Sequence, residues 1–200
     1  MKTHEAYLDT FLKNMIDKLK KYETIGACGI DCGLCPRFYT KGKSACPGCG
    51  GLNFKEKHPS CGVLTCCVIK NGFENCSECK NFPCRRNETA HTTYDSFVTH
   101  KKKISNFEDI KANGIERFVE NQKIRIDILH DLLTNYDDGR AKSFFCRTCA
   151  LLPIANLQEI QNVANNTIAN IELKERCKLI RKSITEIADS LNIDLKLNQK

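Results

Sequence analysis

The sequence predicts a mostly α-helical protein with an irregular, cysteine-rich metal-binding module inserted after its first helix, built on knuckle-like turns with short hairpins at most. Three observations lead there. Apolar residues recur at spacings of three and four over residues 5–22 and 105–190, the mark of helices that bury one face. Eleven of the fourteen cysteines crowd between Cys28 and Cys84, so the cysteine chemistry is local. The same stretch holds eight of the eleven glycines and four of the five prolines, so turns dominate it. The resulting division is an N-terminal amphipathic helix within 1–24, a cysteine-rich module over 25–88 and a helical domain over 89–200.

The first helix, over 5–22, places Leu8, Phe11, Leu12, Met15, Ile16 and Leu19 on one face with lysines opposite. Beyond Arg86, Ser105 to Glu108 fits a capping box that opens a short helix, and Gly114 ends it. A longer helix runs from Ile115 to Tyr136 and stops at Asp137-Asp138-Gly139. Residues 142–152 read as a buried helix ending before Pro153. Two more follow, one carrying Ile154, Leu157, Ile160 and Val163, the other Leu173, Cys177, Ile180, Ile184 and Ile187.

The cysteine segment has few large apolar residues for its length and needs another source of order. Disulfides require export, and the N-terminus shows no uninterrupted apolar run of a signal peptide or a membrane span. A cytoplasmic, reducing location follows as the expectation, and clustered thiols there are metal ligands. Three Cys-x2-Cys pairs occur, Cys32/Cys35, Cys46/Cys49 and Cys76/Cys79, a spacing at which both sulfurs of one tight turn reach the same ion at about 2.3 Å. In Cys46-Pro-Gly-Cys49-Gly50-Gly51 the proline pre-sets the turn and glycine follows the second ligand, as in the knuckles of zinc ribbons and rubredoxins.

The expected ligands are Cys28, Cys32, Cys35, Cys46, Cys49, Cys61, Cys67, Cys76, Cys79 and Cys84, divided between at least two centres. Cys46, Cys49, Cys61 and Cys67 make one tetrahedral zinc set, with Cys66 as the substitute for Cys67. The other six form compact triplets, Cys28-x3-Cys32-x2-Cys35 and Cys76-x2-Cys79-x4-Cys84, of the kind that hold [4Fe-4S] clusters, so iron-sulfur is the rival to zinc. The first triplet's spacing also occurs in radical S-adenosylmethionine enzymes, whose barrel needs more alternating strands and helices than this chain offers. His58, alone in a loop, reads as solvated.

The run Cys28-Gly-Ile-Asp-Cys32-Gly-Leu-Cys35-Pro36, then Cys46-x2-Cys49, then Cys67 through Asn71-Gly72 to Cys76-Ser-Glu-Cys79 and Asn81-Phe82-Pro83-Cys84, resembles the family called domain of unknown function 3795. Ile104 to Gln122 and Gly139 to Pro153 are similar to the family's longer members, so the resemblance spans roughly 25–160. It implies a small cysteine-rich prokaryotic protein and specifies neither activity nor metal. Asn71 stands where the family usually keeps lysine.

Other signals have ordinary readings. Cys146, Cys149 and Cys177 lie in apolar helical patterns and read as core residues. The formal charge of +7 counts every cysteine as neutral, and metal-bound thiolates lower it, so no nucleic-acid partner is inferred. The one dense basic run, His100 to Lys103, lacks interleaved aromatics and reads as solvated surface. No phosphate loop, nucleophile elbow or His-Glu-x2-His helix is present, so no catalytic constellation is recognised. The functional expectation is structural thiolate centres supporting a binding or scaffold role towards a protein partner. Its alternative is an iron-sulfur protein in electron transfer or redox catalysis.

Overall fold

The structure, a computed structural model, describes residues 18–88, 94–167 and 171–198. Five long helices carry the second half: α1 Lys103–Asn113, α2 Ile115–Asn135, α3 Lys142–Leu151, α4 Ile154–Thr167 and α5 Leu173–Ser190. Among the described residues there is no strand; the nearest approach is a single antiparallel bridge between Ile25 and Asp31. Among the same residues no helix is long and apolar enough to cross a membrane.

Helix α2 is the hub, packing against α1, α3 and α4, while α5 closes on α4. Its buried side chains, Phe118, Gln122, Ile128, Leu129 and Leu132, follow the three-to-four spacing expected of one inward face. The main core joins these to Phe145, Cys146 and Cys149 of α3, Leu157 and Ile160 of α4, and Cys177, Ile180 and Ile184 of α5. All three cysteines outside the cysteine segment are therefore packed as small apolar side chains, and burial pushes the Cys149 thiol up to about 12. Helix ends follow their turn residues. Gly114, at φ 85°, stops α1, and Asp137 accepts from the backbone N–H groups of Gly139 and Ala141 to break the chain before α3.

Several expectations change. Residues 5–17 of the expected first helix lie outside the described residues, and 18–22 are not helical. Their backbone donors are taken from elsewhere: Leu19 donates to Gly50 O, and the Lys21 and Tyr22 N–H groups donate to the Glu74 carboxylate. The capping box at Ser105 does not form. Helix α1 begins two residues earlier, and the Ser105 hydroxyl donates back to Lys102 O. The solvated reading of the basic run fails at its last residue, since Lys103 is only 2% exposed. Val163 and Leu173, placed on buried faces, are exposed, and Ala164 takes the inward position on α4.

The cysteine segment is made of turns and very short helices. Cys32–Leu34 and Cys76–Glu78 are 3-10 turns, Phe54–Lys57 is one helical turn, and Gly62–Leu64 runs on into a π-helical stretch, Thr65–Lys70. The segment is stitched to the helices by an exchange of side chains. Leu34, beside Cys35, enters the main helical core. Phe107 of α1 enters a second core made of Ala27, Cys49, Phe54, Leu64, Cys67, Val68 and Cys76. A third, smaller cluster joins Ile25 to Ile110 of α1 and Phe118 of α2.

Candidate metal centre

Two of the Cys-x2-Cys turns are positioned by backbone bonds to the stretch before them. In the first, Cys35 N–H donates to Cys32 O and Gly33 N–H donates to Thr24 O, fixing the Cys32–Leu34 turn against residue 24. In the second, Cys49 N–H donates to Glu23 O and Cys46 N–H donates to Arg37 O. Gly48 sits between them at φ 83°, and a Cβ there would stand 2.4 Å from Glu23 O, so only glycine permits this approach. The third turn is tied to the stretch ahead of the first by Cys76 N–H donating to Ala27 O. A capping box holds it, in which Asn75 accepts from Ser77 N–H while Glu78 accepts from Asn75 N–H.

Folded this way, the first two turns face each other across a cavity of about 360 Å³. Cys28, Cys32, Cys35, Cys46, Cys49 and Cys61 line it, with Phe54 and Val98 among the apolar walls. Cys32 is hydrogen-bonded to Cys49, and Cys35 lies close enough to Cys46 to feel its charge. Cys28 stands in the fields of Cys49 and Cys61. The remaining ligand candidates lie elsewhere. Cys67 is buried and hydrogen-bonded to Cys76, while Cys79 and Cys84 are half-buried and do not line the cavity.

The expected set of Cys46, Cys49, Cys61 and Cys67 is thus divided: the first three share the cavity and Cys67 faces Cys76. Between the neighbours Cys66 and Cys67, the π-helical stretch turns Cys67 inward and leaves Cys66 half-buried beside Asn71. Among the described residues, no three histidine, cysteine, aspartate or glutamate side chains stand close enough together to clasp an ion. The sulfurs ring the cavity in facing pairs.

Backbone donors and buried cations surround these sulfurs. Ala27 N–H donates to Cys49 Sγ at 3.3 Å, Ile30 N–H donates to Cys28, and the Arg37 and Phe38 N–H groups donate to Cys35. Such bonds favour the thiolate. Cys49 is held below the usual cysteine value, chiefly because the Cys32 thiol donates to it, with help from the Lys20 charge. Its partner Cys32 is correspondingly raised by that bond and by burial. Burial raises Cys28 to about 11 and raises Cys35 as well.

Two lysines, both taken out of water, accompany the thiols. The Lys20 ammonium donates to Ile25 O and Glu74 O, each at 2.7 Å, and its charge favours the thiolates of both Cys49 and Cys67. Lys103 is drawn down by burial and held up by the nearby Cys28, Cys76 and Cys61. Neither lysine was legible as a site residue, because both belong to stretches that read as solvated helix or surface. His58 was also passed over. It lines the cavity, stacks on Phe54 with ring centroids 4.5 Å apart, and directs Nδ1 to Pro59 O at 2.8 Å. Since that carbonyl can only accept, Nδ1 is the donor in this bond.

Comparison with known proteins gives one match. Residues 24–89 match the model of a family described as protein of unknown function (DUF3795). The match covers the cysteine segment and stops before α1, so it does not extend to the stretch 104–153. No curated protein and no solved structure matches the chain.

Proposed function

We propose, for a chain whose residues 24–89 match the DUF3795 family model, that the cysteine segment is a metal-binding module with Cys32, Cys35, Cys46 and Cys49 as the ligands of one zinc ion. The observation that carries this is the facing of two Cys-x2-Cys turns over one cavity, Cys32 opposite Cys49 and Cys35 beside Cys46. Four thiolates from two such turns are the donor set of a closed structural zinc site, which asks for sulfurs within about 4 Å of one another. The donor set fits: the N–H groups aimed at Cys35 and Cys49 stabilise negative sulfur. Closure requires the four sulfurs to draw inward from the cavity wall. Cys28, Cys61, Cys67, Cys76, Cys79 and Cys84 supply thiols for a second centre. The role is structural, with centres that rigidify the turns and a helical half that offers a surface to a protein partner in the cytoplasm.

A second reading has its own support. Six thiols line the cavity, two more than one zinc ion uses, and a [4Fe-4S] cluster is a larger guest held by more widely spaced cysteines. That reading makes the protein an electron carrier or redox enzyme. Metal analysis and an absorption spectrum of anaerobically purified protein separate the two. Colourless protein with stoichiometric zinc is the expected result. A brown preparation carrying iron and sulfide replaces zinc by the cluster, and protein that retains neither metal overturns both.

A further inference from the structure

A second cavity, of about 310 Å³, lies on the other side of the first turn, between α1, α2 and the start of α4. Its volume sits at the lower end of ligand pockets, which run from about 300 to 1,000 Å³. Its floor is the Asp31 carboxylate, buried and held on both oxygens: Asn106 Nδ2 donates to Oδ2 at 2.8 Å, and Gln122 Nε2 donates to Oδ1 at 2.9 Å. Gln122 Nε2 also donates to Thr24 O at 3.0 Å. The amide is therefore fixed in orientation, because turning it over would set its oxygen against two acceptors.

That orientation leaves one group unserved. Gln122 is 2% exposed and lines the cavity, yet its Oε1 has no hydrogen-bond partner among the described residues. A buried acceptor without a donor is costly, and a donor brought by a molecule in the cavity would relieve it. The rim shows what else the occupant carries. Arg125 is anchored through Nη1, which donates to Cys149 O at 2.7 Å and Leu152 O at 2.6 Å, so Nε and Nη2 remain for an acceptor. Lys102 adds a second cation to the lining. The Asp109 carboxylate, one oxygen taken by Asn113, adds an anion.

We propose that this cavity binds a free α-amino acid, its carboxylate on Arg125 and Lys102 and its ammonium on Gln122 Oε1 and Asp109. The zwitterion matches the lining: two cations for its carboxylate, a carboxylate and an orphan carbonyl for its ammonium, in a space of amino-acid size. Phe118 and Ile154 leave an apolar flank for its side chain.

The test uses the full chain and the twenty common L-α-amino acids at millimolar concentration, screened by thermal shift and then by calorimetry. At least one is expected to bind with one-to-one stoichiometry. Its deaminated and its carboxamide analogues should each bind about tenfold more weakly or worse, since each loses a charge-assisted contact. Lys102→Gln and Asp109→Asn, both at the half-buried rim and away from the Asp31 clasp, should weaken binding several-fold while leaving the helical circular dichroism unchanged. If no amino acid binds, water serves Gln122 Oε1 and the proposal falls. It falls equally if the analogues bind as well as the parent, or if binding survives both substitutions unchanged.

Discussion

The cysteine segment and the helical half solve the same problem by different means. In the helical half, local periodicity builds helices whose faces then meet in one core of Leu, Ile, Phe and three cysteines. In the cysteine segment, backbone donors go to distant carbonyls, to a glutamate side chain and to sulfur, and thiols occupy places that large apolar side chains hold elsewhere. One region carries its stability in its own faces. The other borrows it from a partner residue at each point: Phe107 from α1, Glu74 for the stretch at 21–22, and, in the reading proposed above, a metal ion. Order that is local in sequence survives the loss of a single contact better than order assembled from remote ones.

The sharpest way to break this contrast is to remove a ligand. In the reading proposed above, Cys49→Ser is expected to cost the facing turns their zinc, and a structural zinc site is worth about 10–16 kcal/mol apparent. The 28–84 turns should become open to protease while the far-ultraviolet circular dichroism of the helices changes little. Metal content, limited proteolysis and dichroism on one sample check all three, and a module that keeps its protection without metal defeats the contrast.

Next in size are the two side chains exchanged between the regions. Phe107→Ala removes a buried ring that meets Phe82 at a centroid distance of 4.8 Å, and should cost about 3–5 kcal/mol. Leu34→Ala opens a hole in the helical core and should cost about 2–5 kcal/mol. If the regions are stitched as described, each loss lowers the unfolding midpoint of the whole chain in denaturant, measured by dichroism. Two separated transitions would show instead that the halves melt independently.

The smallest effect is a pH dependence at the junction. Burial, helped by the Lys103 charge and opposed by Asp95, holds the His100 imidazole below its ordinary 6.5. The unfolded chain therefore takes up a proton that the folded chain refuses. Stability from this residue is complete above pH 6.5 and declines as pH falls from there through the lower folded value. His100→Gln should flatten that limb of a stability-against-pH curve, and an unchanged slope removes His100 as its source.

How much of this was legible in the sequence follows the same division. Helices α2 to α5 are written in apolar spacing and turn residues, and the bounds of α2 and α3 fall close to those read from the pattern. Ser105 misled because its capping pattern competes with tertiary contacts: Asn106 is drawn to Asp31 and Gly29, and Lys103 is buried, so the helix starts earlier. The cysteine spacing identified the turns but not which turn faces which. The approach of Cys32 to Cys49 depends on bonds to Glu23 and Thr24, and no local spacing encodes those. Asn75-x-x-Glu78 was a cap readable in the sequence, hidden by the cysteine inside it.

The clasp on Asp31 has a practical consequence for anyone who would cut the protein down. The family match ends at residue 89, an inviting border for a minimal peptide. Such a peptide would keep every cysteine of the facing turns and discard Asn106 and Gln122, the two amides that hold the carboxylate next to Cys32. It would also lose Phe107, whose ring lies against Gly29. Expressed alone, the fragment would present its first turn with a bare aspartate and an uncovered glycine, and a test of the proposed metal binding on it would be a test of a disturbed turn. The smallest unit worth expressing therefore runs past Gln122.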